Sequence, residues 1–144
     1  MFSIGALSKA TGVKVPTIRY YEQIGLLAPG QRNAGNQRRY DQAGLQALQF
    51  IKHARDLGFA LDDIRALIAL DGTARADCAA ADRIAAAQLQ TVRDRIARLQ
   101  RLAQELERIS GLCQSGHGPE CRVLQALGDH DQCGGDHACD IKGF

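Results

Sequence analysis

The stretch SIGALSKATGVKVPTIRYYEQIGLL, residues 3–27, decides the fold. Ile4, Leu7 and Ala10 recur at helical spacing, and the run stops at Gly12. Pro16 suits a first helical position, so a second helix is expected over residues 17–24, ending at Gly25. Two short helices about a glycine turn read as a helix-turn-helix with its second helix presented outward. Alone, the pair also fits any small helical hairpin.

The next segment, APGQRNAGNQRRYD (residues 28–41), holds Pro29, Gly30, Asn33, Gly35 and Asn36 before Tyr40. That is turn chemistry, and it predicts a short two-stranded loop, or wing. The wing carries Arg32, Arg38, Arg39 and Tyr40. Arginines on a wing beside an outward helix are what phosphate contact requires. A solvated loop would also use arginines, but its place just after the hairpin favours the nucleic-acid reading.

Charge points the same way. Residues 1–58 carry eight Lys and Arg against three acids, Glu22, Asp41 and Asp56, whereas the remainder carries ten against thirteen. The net charge of +2 thus hides a basic first part on a mildly acidic remainder, which suggests a nucleic-acid partner for the first part. Charge by itself also fits ordinary scatter.

The chain has 144 residues, 45% of them apolar and 24% charged, which suits one domain, or a small domain plus a long helical element. No apolar run approaches the roughly 20 residues of a membrane span. The start, MFSIGALSKATG, lacks a basic region followed by a long apolar stretch, so a cytoplasmic location is expected. Five cysteines, an odd number, argue for thiolate chemistry rather than a disulfide scaffold.

Asp41 can cap a helix that runs to Leu57 and ends at Gly58, and a second helix is expected over residues 61–70. From residue 79 to 110 there is neither Gly nor Pro, and Leu89, Val92, Ile96, Leu99, Ala103 and Leu106 recur at steps of three and four. This is a coiled-coil stripe on a helix of about 30 residues, or roughly 45 Å. So long a stripe cannot be buried against so small a domain, so a homodimer is expected, reading a two-fold related site on double-stranded DNA.

Beyond that helix, GLCQSGHGPECRVLQAL (residues 111–127) brackets seven small and polar residues between Cys113 and Cys121, before a short helix near residues 122–127. Two thiolates closing such a loop suit soft or borderline ions. Cys78 stands at the head of the long helix, and antiparallel pairing of two such helices would bring it beside the Cys113–Cys121 loop of the other chain. His117 inside the loop, and His130, Cys133, His137 and Cys139 in the tail, are candidate accessory ligands. His53, in mid-helix, is expected to be structural.

Taken together, SIGALSKATGVKVPTIRYYEQIGLL, GNQRRY (residues 35–40), FIKHARDLGFALDDIRALI (residues 50–68) and the long helix resemble the mercury-resistance-regulator (MerR) family of bacterial transcription factors. The resemblance covers almost the whole chain. It implies a mainly α fold: a winged helix-turn-helix over 1–40, a helical linker pair over 41–77, a long antiparallel coiled-coil dimerisation helix over 78–110, a metal-binding loop and short helix over 111–128, and a Cys/His-rich tail over 129–144. It also implies DNA contacts from Thr17, Arg19 and Tyr20 on the second helix and from Arg32, Asn36, Arg38 and Tyr40 on the wing. The implied metal set is Cys78, Cys113 and Cys121. Members similar to this chain in having a cysteine at the head of the long helix sense divalent ions such as Zn, Cd, Pb or Hg, whereas those sensing monovalent copper, silver or gold usually have serine there. Zinc sensors that bind two ions carry a second cysteine after the first loop cysteine, where this chain has Gln114.

The function the resemblance implies is repression of a metal-resistance or efflux promoter without metal. With metal, DNA distortion activates that promoter for RNA polymerase. Two other readings compete: a copper-type sensor using Cys113 and Cys121 alone, and a thiolate metal-sequestering protein. The basic hairpin and wing speak against sequestration. Nothing in the sequence makes a nucleophile–base pair, a phosphate loop or an open metal site with a base, so no enzyme is expected.

Overall fold

Ser3 turns the chain into its first helix, α1 (Ile4–Thr11), by accepting a hydrogen bond from the Ala6 amide at 3.1 Å. Gly12, at φ +76°, ends it in the left-handed conformation and donates to the Ser8 carbonyl at 2.8 Å. The second helix, α2 (Val15–Gln23), starts one residue before Pro16 and closes through Ile24 onto Gly25, at φ +75°. Ile18 and Tyr21 are its buried residues, and Arg19 and Tyr20 are exposed. The computed structural model describes residues 1–71, 77–112 and 121–128.

Three short antiparallel strands form the wing and its base. They are β1 (Phe2–Ser3), β2 (Gln31–Arg32) and β3 (Arg38–Tyr40), in the order β1-β3-β2. Phe2 faces Tyr40 and Arg32 faces Arg38 in the register. The sequence pattern predicts two of these strands. The third, two residues long, has no periodicity to read and exists because β3 offers it a second edge.

Asp41 caps α3 (Gln42–Asp56), its carboxylate accepting from the Gly44 amide at 2.8 Å. Gly58, at φ +85°, turns the chain into α4 (Leu61–Asp71). The expected break at residues 71–73 lies largely outside the described residues. A continuous core joins these parts: Leu7, Ile18, Leu27, Leu48, Ile51 and Ile64 are fully buried, and Ile84 of the next helix packs against them. Truncating any one to alanine should cost about 2–5 kcal/mol.

The chain divides into two units, Met1–Gln88 and Leu89–Phe144. The division falls within α5 (Cys78–Ser110), whose 33 residues span about 50 Å. Asp77 caps it, accepting from the Ala80 amide at 3.0 Å. In the second unit, Leu89, Val92, Ile96, Leu99 and Leu106 of α5 are 36 to 61% exposed. The described residues end with α6 (Arg122–Gly128). No helix among them is long and apolar enough to cross a membrane.

Candidate nucleic-acid interface and thiol positions

The outward face of α2 presents Arg19 and Tyr20, because Ile18 and Tyr21 are drawn into the core. Thr17 is half-buried at the start of the same helix. Tyr20 is 48% exposed, with its ring 6.2 Å from that of Tyr21. An exposed aromatic beside an arginine gives a flat contact surface and a bidentate donor on one helix face.

The wing turn is held by its own side chains. Asn33 accepts at its side-chain oxygen from the Gln37 amide at 2.9 Å, and its main-chain amide donates to the Gln37 carbonyl at 2.9 Å. Asn36 takes φ +60°, a conformation asparagine tolerates better than most residues. Arg32 donates to the side-chain oxygen of Asn36 at 3.0 Å and to its carbonyl at 3.3 Å. The guanidinium of Arg32 is therefore fixed at the tip of the wing.

Glu22 ties that wing to α2. Its carboxylate, 5% exposed, accepts from Nη1 of Arg38 and from the hydroxyl of Tyr40, and also from the Gly30 amide at 3.4 Å. Gly30 must be glycine here, since a Cβ would stand 2.9 Å from the Arg39 carbonyl oxygen and 3.0 Å from the Tyr40 ring. Burial, and then the bond to Glu22, push the Tyr40 phenol up to about 12. Tyr40 is therefore a protonated donor across the whole neutral range.

Two of the residues expected at the DNA are engaged within the chain itself. Tyr40 is 2% exposed, and its hydroxyl is turned inward to Glu22. Arg38 is half-buried and its charge is opposed by Glu22. Both serve to position the wing. Glu22 itself escaped the sequence reading. Arg38 and Tyr40 share a face of β3, but no sequence pattern ties that face to a helix residue 16 and 18 positions earlier. His53, expected to be structural, is exposed on α3.

Cys78, the first residue of α5, is an exposed free thiol, and Cys121, just before α6, is a partly exposed one. Cys113, His117, His130, Cys133, His137 and Cys139 lie outside the described residues. Among the described residues, no group of three His, Cys, Asp or Glu side chains is gathered as a metal site. Accessible thiols are nevertheless donors of the type that soft ions take.

Comparison with known proteins agrees with this architecture. Residues 2–70 match the model of the MerR helix-turn-helix family of regulatory proteins, and residues 45–109 match the MerR DNA-binding model. The chain is 38% identical over 134 residues to the transcriptional regulator ZntR of Escherichia coli K12, covering 88% of this chain and 92% of that one. It is 36% identical over 137 residues to the mercuric resistance operon regulatory protein of Serratia marcescens, covering 93% of each. Among solved structures, the transcription regulator PbrR691 of Ralstonia metallidurans CH34, in complex with lead(II), superposes with a TM-score of 0.76 at 35% identity, covering 88% of this chain and 99% of that one. With an outward recognition helix, a wing fastened to it and a long C-terminal helix matching over nearly its whole length, this chain belongs to the MerR family of DNA-binding transcriptional regulators.

Proposed function

We propose that this protein is a regulator of a metal-resistance or efflux promoter, responsive to a soft or borderline divalent ion of the Zn, Cd, Pb or Hg type. The observation that carries the reading is the exposed thiol of Cys78 at the head of α5. Related proteins support it: one is named for mercuric resistance, and another was solved with lead(II).

In this reading Cys78, Cys113 and Cys121 are the metal ligands. When bound, the ion supplies strong bonds to thiolates, and a third donor satisfies a divalent charge that two leave under-coordinated. His117 and the Cys/His tail, with His130, Cys133, His137 and Cys139, are accessory donors. The apolar stripe of α5 pairs with a second copy, which makes a homodimer and sets two DNA-binding heads on a pseudo-palindromic site. Cys78 of one protomer then joins the partner's Cys113 and Cys121, so occupancy depends on the arrangement of the dimer.

Arg19 and Tyr20 of α2 and Arg32 of the wing contact the duplex, with Thr17 and Asn36 beside them. Most of these contacts go to phosphates, and Arg19 is placed for a base edge. The metal-free dimer represses. The loaded dimer activates by distorting the DNA, so that promoter elements realign for RNA polymerase. The test is transcription from the native promoter against a panel of single metal salts. Induction by divalent soft ions and silence to copper(I) is the expected result. Induction by copper(I) alone would move the ligand set to Cys113 and Cys121.

A further inference from the structure

Two side chains reach across the first unit to hold the carbonyl end of another helix. Arg65, in the middle of α4, donates from Nη2 to the Ile24 carbonyl at 2.8 Å. Ile24 is the cap of α2, and its carbonyl points out of the helix end with no turn of helix beyond it to supply a donor. Gly25, at φ +75°, carries the chain away in the left-handed conformation just past that carbonyl. A cation at a helix C-terminus also meets the negative end of the helix dipole.

The second reach starts from α5. Gln88 donates from its side-chain amide to the Leu57 carbonyl at 3.1 Å, and Leu57 is the cap of α3. Here a left-handed glycine makes the room. A Cβ on Gly58 would come within 2.7 Å of the Gln88 nitrogen. Gln88 is also the last residue of the first unit, one turn beyond Ile84, which packs on its core. Between these two pins the α3–α4 corner is closed by Arg55, which donates to the Phe59 carbonyl at 2.8 Å. The position of α4 is in turn fixed by Ile64, fully buried next to Arg65.

We propose that Gln88 and Arg65 are positioning residues that couple α5 to the recognition helix. Gln88 fastens the long helix to the end of α3, and Arg65 fastens α4 to the end of α2. A rotation of α5 that moves Gln88 is therefore passed through the α3–α4 corner to the helix that carries Arg19 and Tyr20. Neither residue belongs to the DNA-facing set or to the thiol set. The inference rests on the metal-responsive reading above.

The experiment uses the full-length protein, its native promoter, and zinc, cadmium, lead and mercury salts supplied singly. Arg65→Ala and Gln88→Ala should bind the promoter without metal within about threefold of wild type, as surface changes usually do. Their induction by the effective ion should fall by about tenfold or more. Arg65→Lys, which keeps a donor, should recover part of the response. In metal-free protein, backbone hydrogen exchange at Ile24–Leu27 should quicken by about twofold to fivefold in Arg65→Ala, with α1 unchanged.

Full induction in either alanine variant overturns the coupling role. So does a loss of metal-free promoter binding equal to the loss of induction, because that marks support of the fold alone. A wild-type protein silent to every ion overturns the functional reading, and the inference with it.

Discussion

The phenol of Tyr40 donates its hydrogen bond to the carboxylate of Glu22, fastening the last residue of the wing to the last turn of the recognition helix. Glu22 also holds Arg38, two residues earlier on the same strand. The relative placement of wing and helix is therefore an internal property of the first unit.

This bond sets an alkaline limit on stability. The Tyr40 phenol is raised to about 12 from an ordinary 10.0, so its protonated form is favoured in the folded chain. Its contribution is complete below pH 10 and is lost as pH rises toward about 12, because the unfolded chain gives up the proton first. Urea denaturation across pH 8 to 12 should show this fall in the wild type and a flatter limb in Tyr40→Phe. At neutral pH the same variant should lose about 1–2 kcal/mol, since one acceptor position of a buried carboxylate goes unfilled.

Arg38 and Arg19 should separate cleanly. Arg38→Ala leaves the buried Glu22 carboxylate without its cation, so it should destabilise the fold by about 1–3 kcal/mol. Arg19→Ala, at an exposed position, should leave stability nearly unchanged. It should lower the slope of log affinity against log salt by about 0.9, the value of one phosphate contact. Denaturation curves and salt titrations of DNA binding measure the two effects. An unchanged salt slope for Arg19→Ala would remove it from the phosphate contacts.

Leu99→Asp places a charge in the exposed stripe of α5. If that stripe pairs with a second copy, the charge is buried unpaired at a cost of several kcal/mol. Sedimentation should then show monomers that no longer bind a palindromic site. A dimer that persists assigns the interface elsewhere.

Cys78→Ser should abolish induction by Zn, Cd, Pb and Hg while preserving promoter binding without metal, as should Cys113→Ser and Cys121→Ser. Removal of residues 130–144 should alter sensitivity only. Reporter expression against metal concentration checks all four. Normal induction in Cys78→Ser would leave the two loop cysteines as the whole site.

Helices were legible because local chemistry marks their ends. Ser3, Gly12, Gly25, Asp41 and Gly58 punctuate the chain, and each acts within four residues of its own position. The Asn-rich turn of the wing was legible for the same reason. The Glu22 cluster was not, since its partners lie 16 and 18 residues away and no periodicity links a helix residue to a strand residue. Arg65 and Ile24, 41 residues apart, are joined only by the way α4 lies on the core. Tyr40 reads as a contact in sequence because an aromatic on an arginine-rich strand has the composition of a contact surface. Its burial follows from the alternation of that three-residue strand, too short to show a pattern.

The fastening at Glu22 has a thermodynamic signature. A loose wing would order itself on each encounter with a duplex, and every encounter would carry that entropy loss. Here the ordering is completed when the chain folds, so the head approaches DNA as a rigid caliper. Its heat capacity of association should reflect the contact surface alone, without the added negative increment of coupled loop folding.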